Sequence, residues 1–259
     1  FIGINLLRYI NKETDWNVFV LDKFGYASQS VTEVHKFCEN VWEVDLATVS
    51  KEDLVRHLKS WSPEVLIHLA SESAVDSSIQ NPAFVLHNNI DSAINIFEAC
   101  KELGIKCLLQ STDEVYGSTR EGFHYPENRL RPSSAYSSSK AAVDDIAEGY
   151  RTTHDMDITT IRMTNVMGSY QHPEKMIPKT IISLLVGEPV KVFGDGSQIR
   201  NWLYVEDACK YYECLIKDSP KFPYNIVHFP GINEITNLRL VMRIAHLMGV
   251  KPIIEFITD

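Results

Sequence analysis

The chain has 259 residues, 44% of them hydrophobic and 10% aromatic, enough for one large or two modest cores and too apolar for a disordered segment. Its net charge is -9 and its Lys and Arg residues are scattered, which excludes the electrostatic footprint of a nucleic-acid binder and leaves any anionic ligand to a local site. No run approaches the ~18 apolar residues of a membrane-spanning helix, so no membrane partner is expected.

In chain order, FIGINLLRYI reads as an amphipathic helix, with Ile4, Leu7 and Ile10 on one face. Four apolar, β-branched-rich runs follow: NVFVLD (17–22), EVLIHLA (64–70), KCLLQST (106–112) and DITTIRMTN (157–165). Between them lie the helix-period segments KEDLVRHLKSW, NNIDSAINIFEACKELG and YSSSKAAVDDIAEGYRTTH. The alternation predicts βαβ units, hence an α/β fold with helices on both faces of a parallel sheet. Ligands of such sheets bind beyond the carboxyl ends of the strands. All four runs end there in polar residues: Asp22, then Ser71 and Glu72, then Thr112 to Glu114, then Thr164 and Asn165.

After about residue 166 the segments GSYQHPEKMIP, GEPVKVFGDGSQIRN and FPYNIVHFPGINE are rich in Pro, Gly and turns. They predict a smaller second lobe. It is interleaved with the first, because RNWLYVEDACKYYECLIK reads as a further strand and a helix capped by Asp207. Cys38, Cys100, Cys107, Cys209 and Cys214 lack metal-ligand spacing and lie mostly in apolar segments. Buried free thiols in a reducing, cytoplasmic setting are expected, and no metal site.

Three features carry chemistry. Gly3 opens the first helix and Asp22 ends the next strand, close to the ~20-residue gap between a dinucleotide-binding glycine and the acid that bonds the ribose. A helix-start glycine and a turn aspartate would look the same; if the fingerprint is real, the carboxylate selects NAD over NADP. Tyr136 and Lys140 in YSSSK share a helix face. Chance supplies that spacing readily, so its weight lies in its position after the strand that carries STDE. An ammonium beside a phenol lowers the phenol's pKa and makes a base of it; the alternative is a solvated surface pair. Asp113 and Glu114 are adjacent acids at the end of a core strand. A solvated turn is the commoner fate of such a pair, but two carboxyls in different environments can divide acid and base roles.

FIG, LDK, HLASES, STDEVYG, YSSSK, TNVMGSYQHPEKMIPK and VFGDGSQIRNWLYVED together resemble the dTDP-glucose 4,6-dehydratases of the extended short-chain dehydrogenase/reductase superfamily. The resemblance covers essentially the whole chain. Sugar 4-epimerases share the Tyr and Lys but carry small residues where Asp113 and Glu114 stand; Thr-Asp-Glu is the pattern of the dTDP-glucose enzymes. FIG resembles the end of a TGGAGFIG loop, and FITD stops before an RPGH segment. The resemblance therefore implies a polypeptide that is longer at both ends and includes a first, central strand.

It also implies a doubly wound parallel sheet, the Rossmann fold, in an NAD-binding domain of residues 1–166 with a return segment 200–226. Residues 167–199 and 227–259 would form the substrate-binding lobe, and a homodimer would pack through the helices at 89–103 and 136–152. Phe1, Ile2, Gly3, Asp22, Lys23, Asp45, Leu46, Leu69, Ala70, Ser71, Glu72 and Asn88, with Tyr136 and Lys140, match positions that contact NAD. Ser73, Thr112, Asn165, Lys175, Met176, Arg200 and Asn237 match those that hold the nucleotide sugar, with Lys191, Val192 and Phe193 against its base. In the reaction so implied, Tyr136, helped by Lys140 and Thr112, takes the C4-hydroxyl proton while hydride passes to NAD. Glu114 then removes the C5 proton, Asp113 protonates the departing C6 hydroxyl, and hydride returns to C6.

Arg200 is the candidate to neutralise a diphosphate; a surface ion pair with Glu206 or Asp207 is its alternative. The departures are Ala74 in place of a His, Ser77 in place of an Arg, Val166 in place of a second Asn, and the longer turn YNIVHFPGINE. They leave room for UDP-glucose or another hexose as substrate.

Overall fold

The computed structural model describes residues 1–119, 122–217 and 224–258, and leaves the side chains of residues 75–77, Ser77 among them, outside the description. The elements run α1 (Ile2–Glu13), β1 (Val20–Asp22), α2 (Val31–Val34), β2 (Val41–Glu43), α3 (Lys51–Trp61), β3 (Val65–His68), α4 (Val75–Gln80), α5 (Pro82–Leu103) and β4 (Lys106–Thr112). A 3₁₀ turn (Asp113–Tyr116) separates β4 from α6 (Ala135–His154), β5 (Ile158–Met163) and β6 (Asn165–Met167). Then come α7 (Met176–Val186), β7 (Val190–Phe193), β8 (Ile199–Tyr204), α8 (Val205–Lys217), β9 (Ile226–Phe229), β10 (Asn233–Thr236), α9 (Asn237–Met248) and β11 (Ile254–Ile257).

The centre is a four-stranded, all-parallel sheet in the order β3-β4-β5-β9. Every residue of β5, and every residue of β4 after Lys106, is buried, as expected of parallel strands covered on both faces. One face packs on α3, α5 and α6 through Leu54, Leu58, Phe97, Cys100 and Val143. The other packs on α1 and α8 through Leu6, Ile10, Ala208 and Tyr212. This is the α/β, doubly wound architecture that the alternation predicts.

Local signals explain the helices that flank the sheet. Asn81 caps α5, Pro82 sits in its first turn, and Gly104 ends it at φ 68°. Ser134 and Ser137 cap α6 reciprocally. Asp207 is not a cap: α8 begins at Val205, so Asp207 lies in its first turn and pairs with Lys210 at 3.0 Å. The chain passes directly from β8 into α8 with no turn residue to cap. Two of the predicted strands are shorter, β1 starting at Val20 and β3 ending at His68, and 157–165 divides into β5 and β6.

β1 and β2 pair only with each other, in parallel. Residues 16–23 around β1 and 61–73 around β3 line one slot, and no sheet hydrogen bond joins the two strands across it. Toward the C-terminus, β6, β8 and β10 form a mixed sheet and β7 pairs with β11. The small core of α7, β7 and α9 consists of Leu184, Val190, Val192, Val241 and Ala245. Of the cysteines, Cys38, Cys100, Cys107 and Cys209 are buried free thiols and Cys214 is an exposed one. No helix among the described residues is long and apolar enough to cross a membrane.

Candidate active site

The slot between β1 and β3 opens into a cleft over the carboxyl ends of β4 and β6, one continuous cavity of about 910 Å³. It gathers most of the residues singled out from the sequence. Phe1, Ile2 and Gly3 line it at the start of α1, with Asp22 and Lys23 after β1 and Asp45 and Leu46 after β2. Leu69, Ala70, Ser71, Glu72 and Ser73 line it after β3, Asn88 from α5, and Thr112, Asp113 and Glu114 from β4 and its 3₁₀ turn. Tyr136 and Lys140 of α6, Asn165 of β6 and Lys175 complete the wall.

The remaining predicted residues lie outside it. Met176 and Val192 pack in the core of the second lobe, Lys191 and Phe193 are exposed on β7, and Asn237 opens α9. Arg200 is exposed on β8, but its charge reaches Asp113 and Glu114. Its neighbours Glu206 and Asp207 do not take it up: Asp207 pairs with Lys210.

The acids are held by local backbone. Thr112 ends β4, and its hydroxyl accepts the Glu114 N–H at 3.2 Å, which turns the chain into the 3₁₀ turn. Gly117 closes that turn at φ 74°, where a Cβ would lie 2.3 Å from the Arg131 carbonyl oxygen; only glycine fits there. Thr112 Oγ1 also lies 3.4 Å from Asp113 Oδ1. Burial, then the charge of Glu114, pushes the Asp113 carboxyl up to about 6. Burial raises Glu114 too, opposed by the cations Arg200 and Lys175. Both carboxyls feel Arg200, but Asp113 also faces the like charge of Glu114, whereas Glu114 also faces Lys175.

Tyr136 departs from the expectation of a lowered pKa. Burial, then Glu114 and Asp113, pushes its phenol well above the ordinary value, and only the hydrogen bond with Thr112 works the other way. Lys140, one helical turn on, is itself brought down to about 8 by burial, with Asp144 opposing. A base at Tyr136 therefore requires positive charge in the cleft beyond what the chain provides, or a route for its own proton to leave.

The remaining wall is a hydrogen-bonded frame. Lys23 Nζ meets Asn88 Oδ1 at 2.7 Å and a Glu72 carboxylate oxygen at 2.8 Å. Asn89 accepts the Glu72 N–H at 2.8 Å and donates to Ser139 at 2.9 Å. Lys175 Nζ donates to the Ser73 carbonyl at 2.8 Å, and Asp22 Oδ1 accepts the Phe24 N–H at 2.7 Å. Below Lys140, Asp144 and Arg162 form an ion pair at 2.9 Å with side chains 3% and 4% exposed, and Arg162 also donates to the Tyr116 hydroxyl. Sequence reading passed over Asn89, Asp144 and Arg162. Asp144 lies four residues beyond Lys140 on the same helix face, and that spacing was its one visible signal.

Phe1, Ile2 and Gly3 at the start of α1 line the cavity, and a helix N-terminus suits an anion. A carboxylate at Asp22 and the frame at Lys23, Asn88 and Glu72 extend that wall, a donor set that fits a dinucleotide. Among the described residues no group of three or more His, Cys, Asp or Glu is arranged to hold a metal ion.

Comparison with known proteins agrees with this geometry. Over residues 1–226 the chain matches the model of the NAD dependent epimerase/dehydratase family. It is 34% identical to the low-salt glycan biosynthesis protein Agl12 of Haloferax volcanii, covering 100% of this chain and 83% of that protein. It is 35% identical to a dTDP-glucose 4,6-dehydratase of Haemophilus influenzae, covering 96% and 77%. The crystal structure of DesIV, a dTDP-glucose 4,6-dehydratase from Streptomyces venezuelae with NAD and TYD bound, superposes with a TM-score of 0.90 at 27% identity, over 100% of this chain and 82% of that one. A UDP-glucose 4-epimerase of Thermotoga maritima shares the fold at a TM-score of 0.87 and 23% identity, over 98% and 82%. The chain belongs to the NAD dependent epimerase/dehydratase family, within the extended short-chain dehydrogenase/reductases.

Proposed function

We propose that the protein dehydrates a nucleotide-activated glucose, dTDP-glucose foremost, to the 4-keto-6-deoxy sugar nucleotide with NAD as cofactor. One observation carries this reading: Thr112, Asp113, Glu114, Tyr136 and Lys140 line one cavity, with the two acids on consecutive residues. Elimination across C5 and C6 needs a base and an acid on neighbouring carbons of one ring, and an epimerase has no use for that pair.

The start of α1, Asp22, Lys23 and the loops after β2 and β3 would hold the dinucleotide, which would supply the hydride acceptor for C4 and the hydride donor for C6. Tyr136 takes the proton of the C4 hydroxyl, with Lys140 beside it. The C4 ketone acidifies the C5 hydrogen, which Glu114 removes as base; burial raises its carboxyl, and the cations Arg200 and Lys175 oppose that rise. Asp113, raised to about 6 by burial and then by the charge of Glu114, protonates the C6 hydroxyl as it leaves. Arg200 on β8 and the β7 segment Lys191 to Phe193 are where diphosphate and base would rest.

UDP-glucose is the second candidate substrate. The changes at Ala74 and Ser77 fall in the stretch after β3, and a trifunctional UDP-glucose 4,6-dehydratase of Arabidopsis thaliana is 33% identical over 81% of the chain and 32% of that protein. Incubation of the full-length protein with each sugar nucleotide, followed by the alkaline absorbance of a 4-keto-6-deoxy product, tests both. Formation of an epimer or a pentose with no keto-deoxy sugar would overturn the dehydratase reading.

A further inference from the structure

The reacting side chains sit on two different elements. Asp113 and Glu114 belong to the 3₁₀ turn after β4, whereas Tyr136 and Lys140 belong to α6. Oxidation at C4 and elimination across C5 and C6 address neighbouring carbons of one ring, so the turn and the helix must keep a fixed offset. A misplacement of about 1 Å can cost ~10²-fold in rate.

Arg162 of β5 reaches both elements. It stands beside Ser111 of β4 in the sheet register, and its side chain is buried. Its Nε donates to Asp144 Oδ2 at 2.9 Å, four residues beyond Lys140 on α6. Its Nη1 donates to the hydroxyl of Tyr116, the last residue of the turn that carries the acids. The same nitrogen donates at 2.8 Å to the carbonyl of Pro126, in the segment that joins turn to helix. Tyr116 is fixed from other sides as well. The Arg162 guanidinium lies 4.9 Å from its ring centroid, the His124 ring stacks on it at 4.7 Å, and His228 Nε2 of β9 is 2.7 Å from its hydroxyl.

Tyr116, Asp144 and Arg162 do not line the cavity, so they act through their neighbours. Stability alone does not call for such an arrangement, because apolar side chains of like volume often replace a buried ion pair at no loss. What a guanidinium adds is direction: its donors lie in one rigid plane, and here acceptors from α6, the turn and the joining segment hold that plane.

We propose that Arg162 is a positioning residue: by holding Tyr116 and Asp144 in one fork, it sets the acid pair against Tyr136 and Lys140 so that both pairs meet a single sugar ring. This deepens the dehydratase reading and rests on it. The two stages of the reaction depend on the clamp unequally. Oxidation at C4 uses the side chains of α6 and the dinucleotide wall. Elimination uses the acids of the turn, which must be aligned on a ring that α6 has already seated.

The test is Tyr116→Phe, which removes one hydroxyl and keeps the ring and the Asp144–Arg162 pair. Full-length wild type and variant are compared on whichever of dTDP-glucose and UDP-glucose the wild type converts, by steady-state turnover and by the near-ultraviolet absorbance of the dinucleotide on rapid mixing. In the variant kcat is expected to fall ~10²-fold with KM within a few-fold, and reduced dinucleotide is expected to form at nearly the wild-type rate and accumulate. Arg162→Lys leaves a cation beside Asp144 without the fork and is expected to behave alike. The double variant should be no slower than the slower single one, because both remove the same link; where the lysine variant does not fold, Tyr116→Phe carries the test alone. A phenylalanine variant that turns over within a few-fold of wild type, or whose dinucleotide reduction slows as much as its turnover, overturns the clamp and leaves the dehydratase reading standing. So do losses that simply multiply in the double variant. A wild-type protein that converts neither sugar nucleotide overturns both.

Discussion

The carboxyl end of β4 and the outer lobe around β7 and β8 hold candidate residues in opposite settings. Around β4 and α6 every candidate side chain lines the cavity, and Asp113, Glu114, Tyr136 and Lys140 have pKa values displaced chiefly by burial. On the lobe, Lys191, Phe193 and Arg200 are exposed and lie outside the cavity wall. Burial is what turns ordinary carboxyls and a phenol into reagents, so chemistry belongs to the sheet. Exposed cations and ring faces can steer and hold an anionic substrate, and apart from the charge Arg200 puts on Asp113 and Glu114 they tune little, so the division we propose gives selection to the lobe.

The sharpest way to break that division is Glu114→Gln. Loss of the C5 base is expected to lower turnover by ~10²- to 10⁴-fold while the dinucleotide is still reduced on mixing with substrate, seen in its near-ultraviolet absorbance. If reduction disappears along with product, Glu114 serves C4 oxidation and the acid pair is not divided as proposed.

Next in size is the support beneath Lys140. Arg162→Met leaves Asp144 buried without its partner, and breaking such a pair costs about 3–5 kcal/mol, to be read from urea unfolding of the variant. Adding Asp144→Asn in the same chain should recover part of the loss, because the uncompensated charge is then gone. Equal stability of the single variant and wild type would mean that this region is wetter than its 3% and 4% exposure implies.

The same contrast decides what could be read from sequence. β4 was legible to the residue, 106–112, because a central parallel strand is an unbroken apolar run ended by polar residues. The acids after it, and Tyr136 with Lys140 one turn apart on a capped helix, were legible as a motif with a position. The frame was not: Lys23, Glu72, Asn88 and Asn89 come from three separate segments, and only the fold sets Lys23 Nζ 2.8 Å from Glu72. Nor was the direction of the Tyr136 shift. A lysine four residues away suggests a lowered phenol, whereas burial and two carboxylates from another element prevail. Asp207 misled because an acid near a helix start looks like a cap, and one or two residues decide whether it is.

On the lobe side, Arg200→Ala removes an exposed guanidinium. A charge-assisted contact to diphosphate is worth about 1.5–3 kcal/mol, so KM should rise ~10-fold or more, with kcat within a few-fold of wild type. A fall in kcat at constant KM would place Arg200 in the chemistry, through its charge on Asp113 and Glu114, and would erase the boundary between sheet and lobe.

The smallest expected effect lies under the sheet's own rim. His68 ends β3, and burial, helped by Lys140, holds its imidazole down to about 3. The unfolded chain binds a proton near the ordinary value, so the folded state loses stability as pH falls below it. Between about pH 7 and about pH 5 the loss comes to about 2 kcal/mol. Asp113 works the other way: its raised value means that the folded state gains about 1 kcal/mol over the same interval, and the wild-type curve is muted accordingly. His68→Asn isolates the imidazole. The variant should be less sensitive to acid than wild type by about 2 kcal/mol across that window, measured by urea unfolding at the two pH values. Parallel curves would show that His68 is protonated or solvated in the folded state, and that the buried setting assigned to this end of the sheet does not extend below Lys140.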